Sequence, residues 1–261
     1  MLSRNLERAR NAFRKKDIKE LRLAHDVNLS EPHQQAQGKY IKSTIYGGLD
    51  GIITTFAVVA GVAGASLSAG IVLILGFANL IADGFSMAIG DYLSTKAENE
   101  YNSTEREREK WEVQNYPEGE KKELIEIYMD KGISESDANT VVDIISKNEK
   151  AWIDIMMVEE LGIIESDESP LNNAIATFLS FSLFGFIPLL AHVLSYFLPS
   201  LQIDQFLFSS ILTGITLFVL GALKVTITER HWFISGLEMF LVGGVAAFAA
   251  YGVGYLLSGL A

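Results

Sequence analysis

Cysteine is absent from the 261-residue chain. Disulfides and thiolate metal sites are thereby excluded, and nothing is learned about redox compartment. Histidine is scarce, at His25, His33, His192 and His231. None stands in the Glu-x-x-His pair that di-iron carboxylate bundles use. No phosphate-binding glycine loop of the P-loop kind occurs, so ATP-driven pumping is not expected of this chain. No G-x-S-x-G element suggests a hydrolase. An enzyme with a resident cofactor is therefore not expected. Positive charge is also in deficit: the net charge is −11. That is the wrong sign for a nucleic-acid binder, which must neutralise phosphates, and the right one for gathering cations.

Charge is missing, too, from long stretches of chain and crowded into others, as in a protein that uses lipid and water as separate solvents. Residues 44–67 hold one charged side chain, Asp50. Residues 69–93 follow after a turn too short to hold a domain. Three further apolar segments cover residues 171–198, 206–225 and 232–257. Each is long enough to cross ~30 Å of hydrocarbon at 1.5 Å per residue. Pro188 is expected to kink the third. Gly61, Gly64, Gly70, Gly76, Gly84 and Gly90 would weaken a soluble helix, but in lipid they let neighbouring helices approach. The fold class expected is an all-α integral membrane protein with five transmembrane helices and a cytoplasmic helical metal-binding domain between helices two and three. Its organisation is 1–43, a basic amphipathic segment; 44–93, helices one and two; 94–169, the acidic domain; 170–261, helices three to five.

Residues 94–169 carry 21 of the 32 Asp and Glu residues. Helical patterning persists there, with breaks at Tyr116–Gly119, at Lys131–Gly132 and near Asn148, which gives three or four amphipathic helices. The first continues straight out of the second span through Glu112, because nothing interrupts it before Pro117. Ser134 and Asp137 resemble a capping box. In residues 1–43, Leu2, Leu6, Ala9 and Phe13 recur at helical spacing among basic residues. That pattern fits a helix on a membrane surface or against another domain, and equally a partly ordered basic tail. No apolar run there resembles a signal-peptide core, so no cleavage is expected.

The basic residues set an orientation. Ten precede Thr44, nine lie in 94–169, and Lys224 and Arg230 flank the link between spans four and five. With five spans all 21 fall on one face. That face is expected to be cytoplasmic, with the N-terminus and acidic domain inside; four or six spans would scatter them.

An Asp at the centre of a membrane helix costs roughly 2.5–3.5 kcal/mol on insertion scales, so it needs a reason. Asp50 sits in the first span. Asn79, Asp83, Met87 and Asp91 follow one another every four residues in the second and share one stripe of the helix. Facing inward, they suit a cation shedding its water. The plainer reading puts Asp91 at the membrane boundary, bonds Asp83 to a neighbouring helix and makes Met87 packing. Glu238 in the fifth span is an unexplained buried carboxylate, a proton carrier or a helix-to-helix hydrogen bond. In the acidic domain Glu105, Glu109 and Glu112 share a face, Glu120 and Glu123 lie one turn apart, and Met156 and Glu160 are spaced i, i+4 beside Met157. Carboxylates alone suit Ca²⁺ or Mg²⁺; thioether sulfur shifts preference toward softer first-row metals. Arg106, Arg108 and Lys110 interleave with these acids, as on an ordinary solvated helix face.

Three motifs, in order, carry a family resemblance: Tyr46-Gly-Gly-Leu-Asp-Gly-Ile52, Asp83-Gly-Phe-Ser-Met-Ala-Ile-Gly-Asp-Tyr-Leu93 and Ala151-Trp-Ile-Asp-Ile-Met-Met-Val-Glu-Glu-Leu-Gly162. They resemble the vacuolar iron transporter family, from about Lys39 to the C-terminus; residues 1–38 lie outside it. The resemblance implies five spans, a homodimer, and export of Fe²⁺ or Mn²⁺ from the cytosol in exchange for protons. It implies that Asp50 and Met87 line the transport path. It implies that Glu109, Glu112, Glu120, Glu123, Glu160, Met156 and Met157 collect metal. Where some members carry a glutamate in the second span this chain has Asn79, which can ligate metal but carries no proton at neutral pH. Asp83, one turn away, is the residue left for that role.

The expectation is therefore a multi-pass transporter of Fe²⁺ or Mn²⁺. It would reside in the cell membrane of a prokaryote or a vacuole-type membrane of a eukaryote. Its partners would be lipid, divalent metal, protons and a second copy, with no nucleic acid. A membrane-anchored metal sensor or buffer shares the acidic domain but needs no polar stripe in the spans. A structural protein whose acidic domain docks a basic partner needs no metal at all.

Overall fold

The computed structural model describes residues 12–13, 15–23, 41–164, 168–198, 204–228 and 231–260. Among them all regular structure is helical, with no strand. The chain divides into two units, Met1–Lys42 and Ser43–Ala261. In the first, α1 (Ile18–Leu23) starts at Asp17, whose Oδ1 accepts the N–H groups of Lys19 and Glu20 at 2.9 and 3.3 Å. The Lys16 ammonium lies 3.7 Å from the centre of the Phe13 ring. The amphipathic pattern expected from Leu2 to Ala9 lies outside the described residues.

The second unit is an integral membrane protein with five helices long and apolar enough to cross a bilayer. They are α2 (Ile41–Gly64), the first part of α3 (Ala69–Asn115), α7 with α8 (Pro170–Phe186 and Leu190–Phe197), α9 (Gln205–Thr228) and α10 (Trp232–Leu257). The reversal between α2 and α3 is a tight turn in which Ser66 takes a φ of 60°. Pro188 bends the third span as expected. A single 3₁₀ turn, Ile187–Leu189, separates α7 from α8, and Ser209 of α9 donates to the Pro188 carbonyl.

Close approach of α2 and α7 depends on glycine. A Cβ at Gly51 would strike the Phe181 carbonyl oxygen, and one at Gly185 would come within 2.8 Å of the Gly51 oxygen. Van der Waals contact between backbones replaces the hydrophobic drive that lipid does not supply. Of the second-span glycines, Gly76 and Gly84 make room for the side chains of Leu189 and Phe181, whereas Gly90 faces open space.

Helix α3 is 47 residues long, about 70 Å at 1.5 Å per residue. Its apolar part ends near Leu93, so the rest projects beyond the hydrocarbon as the expected continuous shaft. A polar seam runs up the boundary between α3 and α7. Thr177 donates to Asp91, Asn173 donates to Thr95 at 3.1 Å, and Asn99 donates to the Glu168 carbonyl at 3.2 Å. Positions 91, 95 and 99 recur every four residues, so one face of the shaft carries all three bonds.

Two helices pack on that shaft, α4 (Pro117–Asp130) and α6 (Glu149–Glu159), and α5 (Glu135–Ile145) packs against those two. Ser134 caps α5 as expected, with its Oγ accepting the Asp137 N–H at 3.3 Å and donating to Asp137 Oδ2 at 2.7 Å. The core beneath them joins Val113, Leu124, Val142, Trp152, Ile153, Met156 and Met157. Burying that set against water stabilises the domain by roughly 1.5–3 kcal/mol per large side chain.

Candidate metal centre

Local chain reversals place the acids. Tyr116 ends α3, its N–H bonded to the Glu112 carbonyl at 2.7 Å, and Pro117 opens α4. Proline suits that first position, where its missing N–H would be unpartnered anyway. The reversal folds Glu120 and Glu123 back over Glu109 and Glu112. Asn148 caps α6 by accepting the Ala151 N–H at 3.0 Å. At the other end Gly162 takes a φ of +66°, and the Ile163 N–H returns to the Met157 carbonyl at 2.8 Å. This left-handed stop fixes Glu160 at the end of the helix, facing the other acids.

Carboxylate oxygens of Glu109, Glu112 and Glu120 lie within 4.8 Å of one another, as do those of Glu120, Glu123 and Glu160. Glu120 belongs to both triads. Metal–oxygen bonds of roughly 2.0–2.6 Å let a single ion reach oxygens so spaced. Glu109 is completely buried, and no hydrogen-bond donor reaches either of its oxygens. The group that meets it is the Glu120 carboxyl, which has no proton to donate unless one is shared between the two. Glu120 Oε2 and Glu160 Oε2 are also buried without donors. A native interior seldom leaves so many acceptors unsatisfied; a cation or protons must neutralise them.

Titration follows from that crowding. These groups lie well beyond the apolar part of α3, on the water side. Burial, then the neighbouring charges of Glu160, Glu120 and Glu112, push the Glu109 carboxyl up to about 8. Burial, then Glu123, Glu120 and Glu112, push Glu160 up to about 7 against the opposing charge of Arg108. Burial likewise raises Glu120. Like charges converging in a partly dry site disfavour ionisation until a cation enters.

Arg106 turns away from the cluster, and Arg108 stays at its edge. Arg106 pairs with Asp154, which also holds Lys150 at 3.0 Å, and those two hydrogen bonds lower the Asp154 carboxyl. Arg108 binds Glu105 at 2.7 Å and reaches Glu112 at 3.9 Å. Glu105 is thereby a partner for arginine, while Glu109, Glu120 and Glu160 stand in no ion pair among the described residues. Met156 and Met157 are fully buried in the core next to these acids in the chain.

Within the spans the polar residues divide. Asn79 donates toward Thr54 and Thr55 at 3.4 and 3.5 Å, one turn beyond Asp50, and Asp83 is the charge that acts on Asp50. Asp50, Asn79 and Asp83, all half-buried, therefore converge between α2 and α3. Met87, half-buried, packs against the apolar cluster containing Phe181, and Asp91 accepts a hydrogen bond from Thr177. Glu238 requires a correction. It is exposed on the outward face of α10, and among the described residues no helix-to-helix hydrogen bond holds it. Hydrophobic neighbours in sequence suggested burial, but the glycine-rich and serine-containing face of α10, with Ser235, Gly236 and Gly243, is the one packed inward. Sequence reasoning missed Thr54 and Thr55, although Thr54, four residues after Asp50, shares its face and donates to its carbonyl at 2.8 Å.

The VIT family profile matches residues 41–255. The chain is 40% identical over 268 residues to a vacuolar iron transporter of Toxoplasma gondii, covering 97% of this chain and 89% of the relative. It is 37% identical over 267 residues to one of Plasmodium falciparum, covering 98% of each. It is 35% identical over 223 residues to vacuolar iron transporter 1 of Arabidopsis thaliana, covering 85% of this chain and 87% of the relative.

Proposed function

The chain belongs to the VIT family, and from that membership we propose that it transports Fe²⁺ or Mn²⁺ out of the cytosol in exchange for protons. The relatives are named iron transporters, and the site chemistry supports a first-row divalent cargo. The observation that carries the reading is the fully buried Glu109, with two donorless oxygens among Glu112, Glu120 and Glu160.

The acidic domain collects the ion on Glu109, Glu112, Glu120, Glu123 and Glu160. Met156 and Met157 supply thioether sulfur that favours softer ions over Ca²⁺ and Mg²⁺. Ion entry replaces the protons that Glu109 and Glu160 hold near neutral pH. The ion then enters the membrane at Asp50, Asn79, Asp83 and Met87. Asn79 is a neutral ligand there, so Asp50 and Asp83 carry the returning protons. In this reading the N-terminus and acidic domain face the cytosol, as the one-sided basic residues favour, and two copies complete the path as a homodimer.

Uptake of Mn²⁺ or Fe²⁺ into proteoliposomes, with the interior acid, tests the proposal. Asp50→Ala should abolish gradient-driven uptake while the purified protein still binds metal. Unchanged uptake would remove the central claim. A buffer that only binds metal would show no uptake in the unaltered protein.

A further inference from the structure

The end of the spans remote from the acidic domain holds a second, smaller set of polar side chains of types that ligate metals. The α2–α3 turn, α8 and the start of α9 line an open cavity of about 260 Å³. Its walls include the apolar Leu67, Val72 and Phe206, and three polar side chains, His192, Asp204 and Gln205. His192 is 5% exposed, and its Nδ1 is buried without a hydrogen-bond partner. Asp204 Oδ1 accepts the Leu207 N–H at 3.0 Å. That bond fixes the carboxylate and opposes the positive end of the α9 dipole, and among the described residues no hydrogen bond is made by the second oxygen.

Chain direction fixes the location. The acidic shaft leaves α3 at its C-terminal end, whereas Val72 lies at its N-terminal end; Asn79 is seven residues, about 10 Å, further in. A buried imidazole costs more than an apolar side chain unless something binds it. Here it opens on a cavity that also offers a carboxylate and an amide oxygen, a donor set suited to first-row divalent ions. Asp204 is the one charged group among the lining residues.

We propose that His192, Asp204 and Gln205 form a second divalent-cation site at the mouth opposite the acidic domain. Its role as the last station before release rests on the transport reading; its ability to bind an ion does not. The acidic domain offers oxygen and sulfur but no imidazole, so the two sites differ spectroscopically.

The test is electron spin-echo spectroscopy of Mn²⁺ bound to the full chain in detergent. Imidazole nitrogen modulation is expected in the unaltered protein and in Glu109→Gln/Glu160→Gln, and lost in His192→Gln. Asp204→Asn keeps the helix cap and should weaken Mn²⁺ at the nitrogen-coupled site about tenfold, so the claim does not depend on one variant folding. The proposal is overturned if the unaltered protein shows no nitrogen modulation, if His192→Gln retains it, or if Glu109→Gln/Glu160→Gln removes it. Uptake is measured separately, so loss of transport with this signal intact would sink the transport reading alone.

Discussion

Glu109 concentrates the chemistry of the acidic domain at a single side chain. Its folded carboxyl titrates at about 8 against an ordinary 4.5. Between those values the metal-free folded protein binds more protons than the unfolded chain, so its stability falls as pH rises. Thermal unfolding followed by the fluorescence of the buried Trp152 should therefore shift downward from pH 5 to pH 8 without metal. Glu109→Gln should remove much of that decline. Metal affinity should run the opposite way, because ion and proton compete. Calorimetric Mn²⁺ binding should strengthen at least tenfold from pH 6 to pH 8, with proton release seen as a buffer-dependent heat; a pH-independent affinity would contradict the cluster's assignment. Met156 and Met157 pose a different question, since both are core side chains. Replacing both with Leu conserves volume and should cost under about 1.5 kcal/mol per site in stability. The expected result is a reduced preference for Fe²⁺ and Mn²⁺ over Mg²⁺; unchanged selectivity would make them packing alone. The acids and methionines were readable as types at helical spacing. Their separation into metal-facing and arginine-paired members was not, because Arg106 turns to Asp154, 48 residues away in sequence, and Arg108 to Glu105.

Helix α3 links the two solvents as one element, and its continuity was legible because no Pro or capping signal interrupts it before Pro117. The breaks at Tyr116, Lys131 and Asn148 were legible because Pro117, Gly119, Gly132 and Asn148 itself interrupt the pattern there. The seam to α7 was not: Thr95, Asn99 and Asn173 look like ordinary polar residues until the antiparallel helix sets them opposite one another. Gly51 is the element-scale constraint on the polar centre, because it sits beside Asp50 and presses on the Phe181 carbonyl. Gly51→Leu should wedge α2 from α7. Metal uptake should fall more than tenfold, while Mn²⁺ binding by the acidic domain stays within about twofold, since α2 takes no part in that cluster. Equal loss of both would indicate misfolding instead.

At the scale of the whole molecule, the proposal makes acid on the side opposite the acidic domain the driving force. Collapsing a proton gradient with an ionophore should reduce Mn²⁺ uptake at least fivefold at constant metal concentration; full activity without the gradient would remove proton exchange. Sequence alone determined the five spans, the acidic domain between the second and third, and the inventory of ligands. Each of these depends on local composition and helical period, which a linear chain displays. Tertiary structure decided which acids converge, that Glu109 is sealed from donors, that Asp91 is spent on Thr177, that Glu238 faces outward and that His192 opens on a cavity. Those outcomes depend on helices meeting across tens of residues, where packing of backbone and side chains sets which charged groups lose water and which find a partner.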